Sequence, residues 1–275
     1  TAVILPVHVA GNPCEMDAIV DIADDHGLAV VEDCAQAHGA TYEGQAMGTF
    51  GDVNAYSFQN SKILTTAGDG GMVTTDDDDL AEFCREFRHM GFPAHHDYDQ
   101  LDIYQHNRIG YNYRMSPLNA AVGLAGMDRV DGDIETRRAN AAALDSGLAT
   151  IDGVSPMQVT EGGRCTYYWY YGTLAIEEFT VDRDQFIEAV AEEGVNARVG
   201  TGAELYTTEF IRERDALAWD ERLYDGDVSY EGTVCPTAHE VGKRSFALAV
   251  EPPADTDDMA DTVAAVEKVA DAYRQ

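Results

Sequence analysis

Lysine is nearly absent from this chain. Of 275 residues only Lys62, Lys243 and Lys268 are lysine, beside fifteen arginines, while aspartate and glutamate number 50 and leave a formal charge of −32. No basic stripe exists that could neutralise phosphates, so a nucleic acid is not an expected partner. The carboxylates are spread along the chain among apolar residues that make up 45% of it. A block of acid that could serve as a tail for a basic partner is therefore missing. Dispersed acid of this kind suits a protein kept soluble in concentrated salt, where charges are screened within a few ångströms. A salt-in halophile is the expected source.

Cysteine is scarce and scattered, at positions 14, 34, 84, 165 and 235. With no C-x-x-C pair and no histidine at finger spacing, neither a zinc site nor a disulfide framework is indicated, and no metal is expected. The cysteines read as small buried apolar residues. No run of eighteen apolar residues and no charged-then-apolar leader occurs, which predicts a soluble cytoplasmic protein without a membrane partner. Dinucleotide, P-loop and serine-hydrolase motifs are also missing. The chain opens without methionine on TAVILPVHVAG, and the expectation is that it starts mid-domain.

What is present alternates between strand and helix signals. Asn12-Pro13 predicts a helix start through CEMDAIVDIADDHG, with Asn12 as N-cap. GLAVVEDCA is a continuous apolar run ending in acids, as in a central parallel strand covered on both faces. DVNAYSF at 52–58 and GGMVTT at 70–75 read as further strands, and Asp76 as the cap of a helix that Gly91 closes. Residues 92–110 read as a long polar loop. Ser116-Pro117 begins a long helical stretch with a possible break at Gly132. Beyond about residue 150 come an aromatic strand (CTYYWYYGTLAI), a helix (DRDQFIEAVAEEG), a strand (VNARVG) and a final helix over DTDDMADTVAAVEKVADAYR. CPTAHEVGKRSFAL reads as a helix. The pattern predicts an α/β unit over 1–130 and a linking helix with a smaller α+β unit over 131–275.

Two features of the first unit carry chemistry. Asp33 ends an apolar strand, where a carboxylate is costly to bury unless paired. Lys62 lies after the next strand, five residues beyond Ser57 and just before Gly68-Asp69-Gly70-Gly71, where glycines let backbone approach a ligand closely. An amine, an anion and a hydroxyl on neighbouring strand ends are what a pyridoxal phosphate site needs. On spacing alone, Asp33 could equally pair with an arginine and Lys62 could be solvated. Lysine scarcity adds weight to the first reading, because arginine cannot lose its proton to form an imine. The aromatic run at 167–172 reads as core rather than as a sugar-stacking surface.

Three motifs in fixed order then become informative: E-D-C-A-Q-A-H-G at 32–39, S-F-Q-N-S-K with G-D-G-G at 57–71, and G-Y-N-Y-R-M at 110–115. With these, the chain closely resembles the DegT/DnrJ/EryC1/StrS family of pyridoxal-phosphate-dependent sugar aminotransferases, of the aspartate aminotransferase fold (fold type I), nearly end to end. The resemblance implies the C-terminal part of a fold type I large domain, followed by a smaller α+β domain. It further implies roughly a hundred residues ahead of Thr1, holding a phosphate-binding Gly/Ser/Thr segment and an aromatic that stacks on the ring.

The same resemblance implies roles residue by residue. Lys62 would carry the cofactor as a Schiff base, Asp33 would face the pyridine nitrogen, Gln36 the ring hydroxyl, and Ser57 the phosphate. Asn112 would reach the phosphate of the other subunit, so a homodimer with shared sites is expected. An ionised Asp33 about 4 Å from a protonated ring nitrogen is worth roughly 4 kcal/mol at an effective dielectric near 20. His38 reads as a structural hydrogen-bonder, and Arg114 as an ion pair at a helix start or interface. A sugar 3-dehydratase branch of the family carries histidine in place of the lysine, so Lys62 favours amino transfer. The expected function is transfer of an amino group from glutamate or glutamine to a keto group of a nucleotide-linked sugar or cyclitol. A dehydratase-like enzyme and a non-catalytic truncated relative are the alternatives.

Overall fold

The computed structural model describes residues 1–94, 105–200, 204–214, 226 and 229–275. It divides into two compact units, the first comprising Thr1–Ala139, Gln158–Tyr168 and Val250–Pro253, and the second Asn140–Met157, Trp169–Ala249 and Ala254–Gln275. Among the described residues no helix is long and apolar enough to cross a membrane.

The first unit is built on a four-stranded sheet with order β1-β2-β5-β6. Strand β1 (Val3–Ile4) and β5 (Val53–Ser57) flank β2 (Ala29–Asp33) in parallel, and β6 (Gly71–Thr74) closes the sheet antiparallel to β5. The apolar run at 28–35 thus forms a central strand, as its composition predicts. Helix α1 (Met16–His26) packs Met16 and Ala23 into the core beside Val30, Cys34 and Met47, and ends on Gly27 at φ 62. It does not start at Asn12. The Asn12 side chain is spent instead on residues 158–160, donating to the Gln158 carbonyl at 3.1 Å and accepting the Thr160 N–H at 3.0 Å.

Short strands β3 (Thr41–Tyr42) and β4 (Gln45–Ala46) form a hairpin, with β8 (Gly163–Arg164) paired to the other edge of β3. Helix α2 (Asp78–Phe87) is capped by Asp77, whose side chain accepts the Leu80 N–H at 2.9 Å, one residue later than Asp76. Helix α3 (Pro117–Met127) begins as its sequence predicts, with Ser116 accepting the Asn119 N–H and proline in the first turn. The break before α4 (Val130–Leu148) falls at Asp128-Arg129, and Gly132 lies inside α4, where it is tolerated at the cost of some helix propensity.

The second unit carries an antiparallel sheet ordered β10-β11-β9-β7, from β7 (Val154–Ser155), β9 (Tyr170–Leu174), β10 (Ala197–Val199) and β11 (Ser245–Leu248). Helix α5 (Arg183–Glu192) buries Phe186, Ile187 and Val190, and α8 (Thr256–Tyr273) buries Val266, Val269 and Ala270. Short α6 (Glu209–Arg212) and α7 (Pro236–Arg244) bury no residue. The stretch read as one helix over 235–248 is therefore helix then strand. Ser245, Phe246, Ala247 and Leu248 are all buried in β11, between β10 and β9, where Phe246 and Leu248 suit a pleated core better than a helix.

Candidate active site

The parallel pairing of β2 with β5 sets Asp33 opposite Ala55, so Asp33 and Ser57 emerge at the same, carboxyl-terminal end of neighbouring strands. The chain from Phe58 to Gly70 then returns into β6. It is pinned at its base by Phe58 N–H to Gly70 O at 2.8 Å and Thr66 N–H to Phe58 O at 3.0 Å, and Lys62 sits in a turn closed by its own N–H to Gln59 O. The glycines here serve the hairpin. A Cβ on Gly70 would lie 2.5 Å from Thr66 Oγ1, and one on Gly71 would lie 2.7 Å from the Tyr56 carbonyl.

Asp33 is half-buried. One of its oxygens accepts the Ala35 N–H at 2.9 Å. Among the described residues no lysine, arginine or histidine lies within ion-pair distance of it, so the arginine partner that spacing left open is not found among them. A carboxylate so placed is ready for a cation from outside the chain. Gln36 turns its Oε1 to the Ala10 N–H at 2.7 Å, which fixes the amide orientation and leaves its NH2 to donate. Ser57 Oγ accepts the Gln59 N–H at 3.3 Å and keeps its own proton for an acceptor. Asn112 stands apart from these groups. Its side chain is exposed, its backbone bridges to His89, and no contact among the described residues joins it to the other four.

Lys62 is half-buried, with Nζ 4.5 Å from the centroid of the Tyr168 ring, whose hydroxyl meets Ser61 Oγ at 2.8 Å. Tyr168 belongs to the aromatic run read as core. It is indeed 9% exposed, but its ring face meets Lys62 Nζ. Local pattern gave no signal for this, since the two partners are about a hundred residues apart in sequence.

His38 differs from its expected part. It is 5% exposed, and among the described residues neither ring nitrogen has a hydrogen-bond partner. Its ring lies 5.6 Å from that of Tyr56 and 5.9 Å from that of Phe58. Burial pushes its pKa down to about 4; the Ser57 main chain partly counteracts this without reaching hydrogen-bond geometry, and the Lys62 charge adds to the depression. It is neutral at neutral pH. Arg114 Nη1 contacts His89 Nδ1 at 2.5 Å rather than a carboxylate.

Glu32, adjacent to Asp33 in sequence, points the opposite way and is fully buried. Its two oxygens accept the backbone N–H groups of Gly48, Phe50 and Gly51 at 2.7–2.8 Å and the His8 Nε2 proton at 3.1 Å. Burial opposes its ionisation, and these donors outweigh burial, so its pKa lies below the ordinary value. His8, Glu32 and Cys34 are close enough to suggest a metal cluster. Their atoms are already committed, however: His8 Nδ1 takes the Cys14 N–H at 3.1 Å, and Glu32 has donors on both oxygens. The cluster anchors the 48–51 turn to β2. Of the cysteines, Cys34 and Cys165 are buried, Cys14 and Cys84 are partly buried, and Cys235 is exposed, which corrects the reading of all five as core residues. Residues 95–104 of the 92–110 loop, with His95 and His96, lie outside the described residues; His106 Nδ1 contacts the Met90 carbonyl at 2.9 Å.

The mixed α/β architecture defines the class: it matches the fold of pyridoxal-phosphate-dependent aminotransferases. The chain belongs to the DegT/DnrJ/EryC1/StrS aminotransferase family, which it matches over residues 1–267. It is 39% identical over 199 residues to a GDP-perosamine synthase of Caulobacter vibrioides, covering 72% of this chain and 52% of that protein. It is 42% identical over 154 residues to the dTDP-3-amino-3,4,6-trideoxy-alpha-D-glucose transaminase of Streptomyces venezuelae, covering 56% and 38%. The crystal structure of an aminotransferase from Psychrobacter cryohalolentis superposes with a TM-score of 0.83 at 31% identity, over 99% of this chain and 69% of that one. The chain thus spans about half the length of the GDP-perosamine synthase it matches.

Proposed function

We propose that this chain forms part of an aminotransferase that moves an amino group from glutamate or glutamine to a keto group of a nucleotide-linked sugar, with pyridoxal 5′-phosphate carried on Lys62. The observation that carries the reading is a half-buried Asp33 carboxylate, without a cation partner among the described residues, at the end of β2, next to the strand β5 whose loop carries half-buried Lys62. The relatives named above act on GDP- and dTDP-linked sugars by their names, which supports the same substrate class here.

The residues present fit the cofactor by chemistry. Asp33 would hold a positive pyridine nitrogen, the free NH2 of Gln36 would donate to the ring oxygen, and Ser57 Oγ would donate to the phosphate. When bound, the cofactor supplies an electron sink for bond breaking at the amino donor's α-carbon. Lys62 Nζ would hold and move the proton of that α-carbon, as general base and then as general acid. His38, buried and neutral, adds no competing charge.

A homodimer with Asn112 reaching the partner's site belongs to the same proposal. Helix α3 buries none of its residues and leaves Leu118 82%, Leu124 72% and Met127 55% exposed, after Ile109 at 87%, an apolar surface of the kind a second copy covers. A cytoplasmic location and a halophilic source also remain part of the reading, supported by composition.

The test is reconstitution with pyridoxal phosphate in molar potassium chloride followed by borohydride reduction and peptide mapping. With three lysines in the chain the assignment is direct. Fixation on the Lys62 peptide, abolished by Lys62→Arg, is expected. Fixation confined to Lys243 or Lys268, or none at all with the intact gene product, overturns the reading.

A further inference from the structure

We propose that the face of Tyr168 is a dock for the Lys62 ammonium, holding that nitrogen whenever it has no covalent partner and so setting how readily Lys62 acts as a nucleophile. The functional meaning of the dock rests on the cofactor reading above; the contact does not.

The charge environment makes the contact unusual. In a chain with 50 carboxylates, Lys243 is paired with Glu240 at 3.2 Å and Lys268 with Glu193 at 2.6 Å. Among the described residues Lys62 has no carboxylate within 4.0 Å, and its Nζ stands 4.5 Å from the Tyr168 centroid instead. A ring face attracts the protonated amine through its quadrupole, and more strongly where water is partly excluded, as around half-buried Lys62. Unlike a carboxylate, it offers no lone pair to bind the proton.

The ring is built to stay where it is. Its hydroxyl is tied to Ser61, the residue before Lys62, at 2.8 Å. Its backbone N–H donates to Ala10 O at 2.8 Å, and its carbonyl accepts from Arg137 Nη1 at 3.2 Å. Arg137, 7% exposed, also binds the carbonyl of Tyr167, which is held at φ 50, a left-handed conformation unusual for an aromatic residue. Backbone outliers of this kind persist where surrounding contacts enforce them, often beside functional groups. Ala10, itself at φ 61, gives its N–H to Gln36. A single loop therefore sets the Tyr168 ring and the Gln36 amide together.

The test uses the native chain without cofactor, labelled with trace acetic anhydride at a fixed pH near 8, with Lys243 and Lys268 as internal references. Tyr168→Met fills similar space without an aromatic face, whereas Tyr168→Phe keeps the face and loses only the hydroxyl. The Met variant is expected to raise the Lys62 acetylation rate about three- to tenfold relative to the references, with the Phe variant within about twofold of native. Equal rates in all three proteins, or an equal rise in Met and Phe variants, overturn the proposal. Reference rates at native values report that a variant is folded; Tyr168→Leu replaces the Met variant if they change. Borohydride fixation of pyridoxal phosphate on the intact gene product separates the two claims. Failed fixation with the expected labelling pattern sinks the cofactor reading and leaves the dock, whereas successful fixation with a flat labelling pattern sinks the dock alone.

Discussion

At the scale of single residues, two buried groups tie stability to pH in ways that can be separated. His38 has a folded pKa of about 4 against an ordinary value of 6.5, so the folded state refuses a proton that the unfolded chain accepts. Stability is therefore lost as pH falls from 6.5 toward 4, by roughly 3 kcal/mol at the lower end. Urea unfolding of His38→Phe should show the variant gaining on the native protein over that window, and parallel stability curves would refute the assignment. Glu32 works lower. Its depressed pKa contributes stability above its ordinary value of 4.5 that disappears as pH falls below it. Glu32→Gln puts an NH2 against the Gly48, Phe50 or Gly51 donors and should cost about 1–3 kcal/mol at pH 7, read as a lower urea midpoint, while flattening the acid limb below pH 4.5. The sequence pointed to Asp33 and passed over Glu32 because both end the same apolar run. Which one turns inward depends on strand pleat and on the donors of a turn sixteen to nineteen residues away.

At the scale of elements, helix ends are where local sequence speaks most directly. Asp255 caps α8 with a full capping box, accepting the Asp257 and Asp258 N–H groups while Asp258 reaches back to its own. Asp255→Ala should lower stability by about 1 kcal/mol, and Asp255→Ser should recover most of it in the same unfolding assay. Equal midpoints for all three proteins would show that α8 is held by its buried face alone. Ser116 and Asp182 are likewise caps that the sequence announces. Asn12 shows the limit of such signals. Its side chain satisfies residues 158–160, so a residue type that favours a cap bonds to a distant segment of the chain instead. Strand β11 failed to register for a related reason: a four-residue, mostly apolar strand directly after a helix carries no period that separates strand from helix.

At the scale of the whole chain, charge dominates. A formal charge of −32 on 275 residues repels itself in dilute buffer, and screening reduces that repulsion. The thermal midpoint should rise as potassium chloride goes from roughly 0.1 M, where the screening length is about 10 Å, to the molar range, where it is about 3 Å. A midpoint that falls or stays flat would argue against adaptation to salt.

The residue types that the proposed chemistry needs, and their order along the chain, are set by sequence alone. An imine requires lysine, a pyridinium partner requires a carboxylate, and the apolar runs ending at Asp33 and Ser57 place both at strand ends. Only the tertiary structure decided which groups are left without partners. It set Asp33 and Lys62 apart from any salt bridge among the described residues, stripped His38 of hydrogen bonds, and turned a tyrosine from residues 158–168 over the lysine. The reason is physical: local periodicity encodes burial and element type, whereas pairing depends on residues far apart in sequence meeting across a packed sheet.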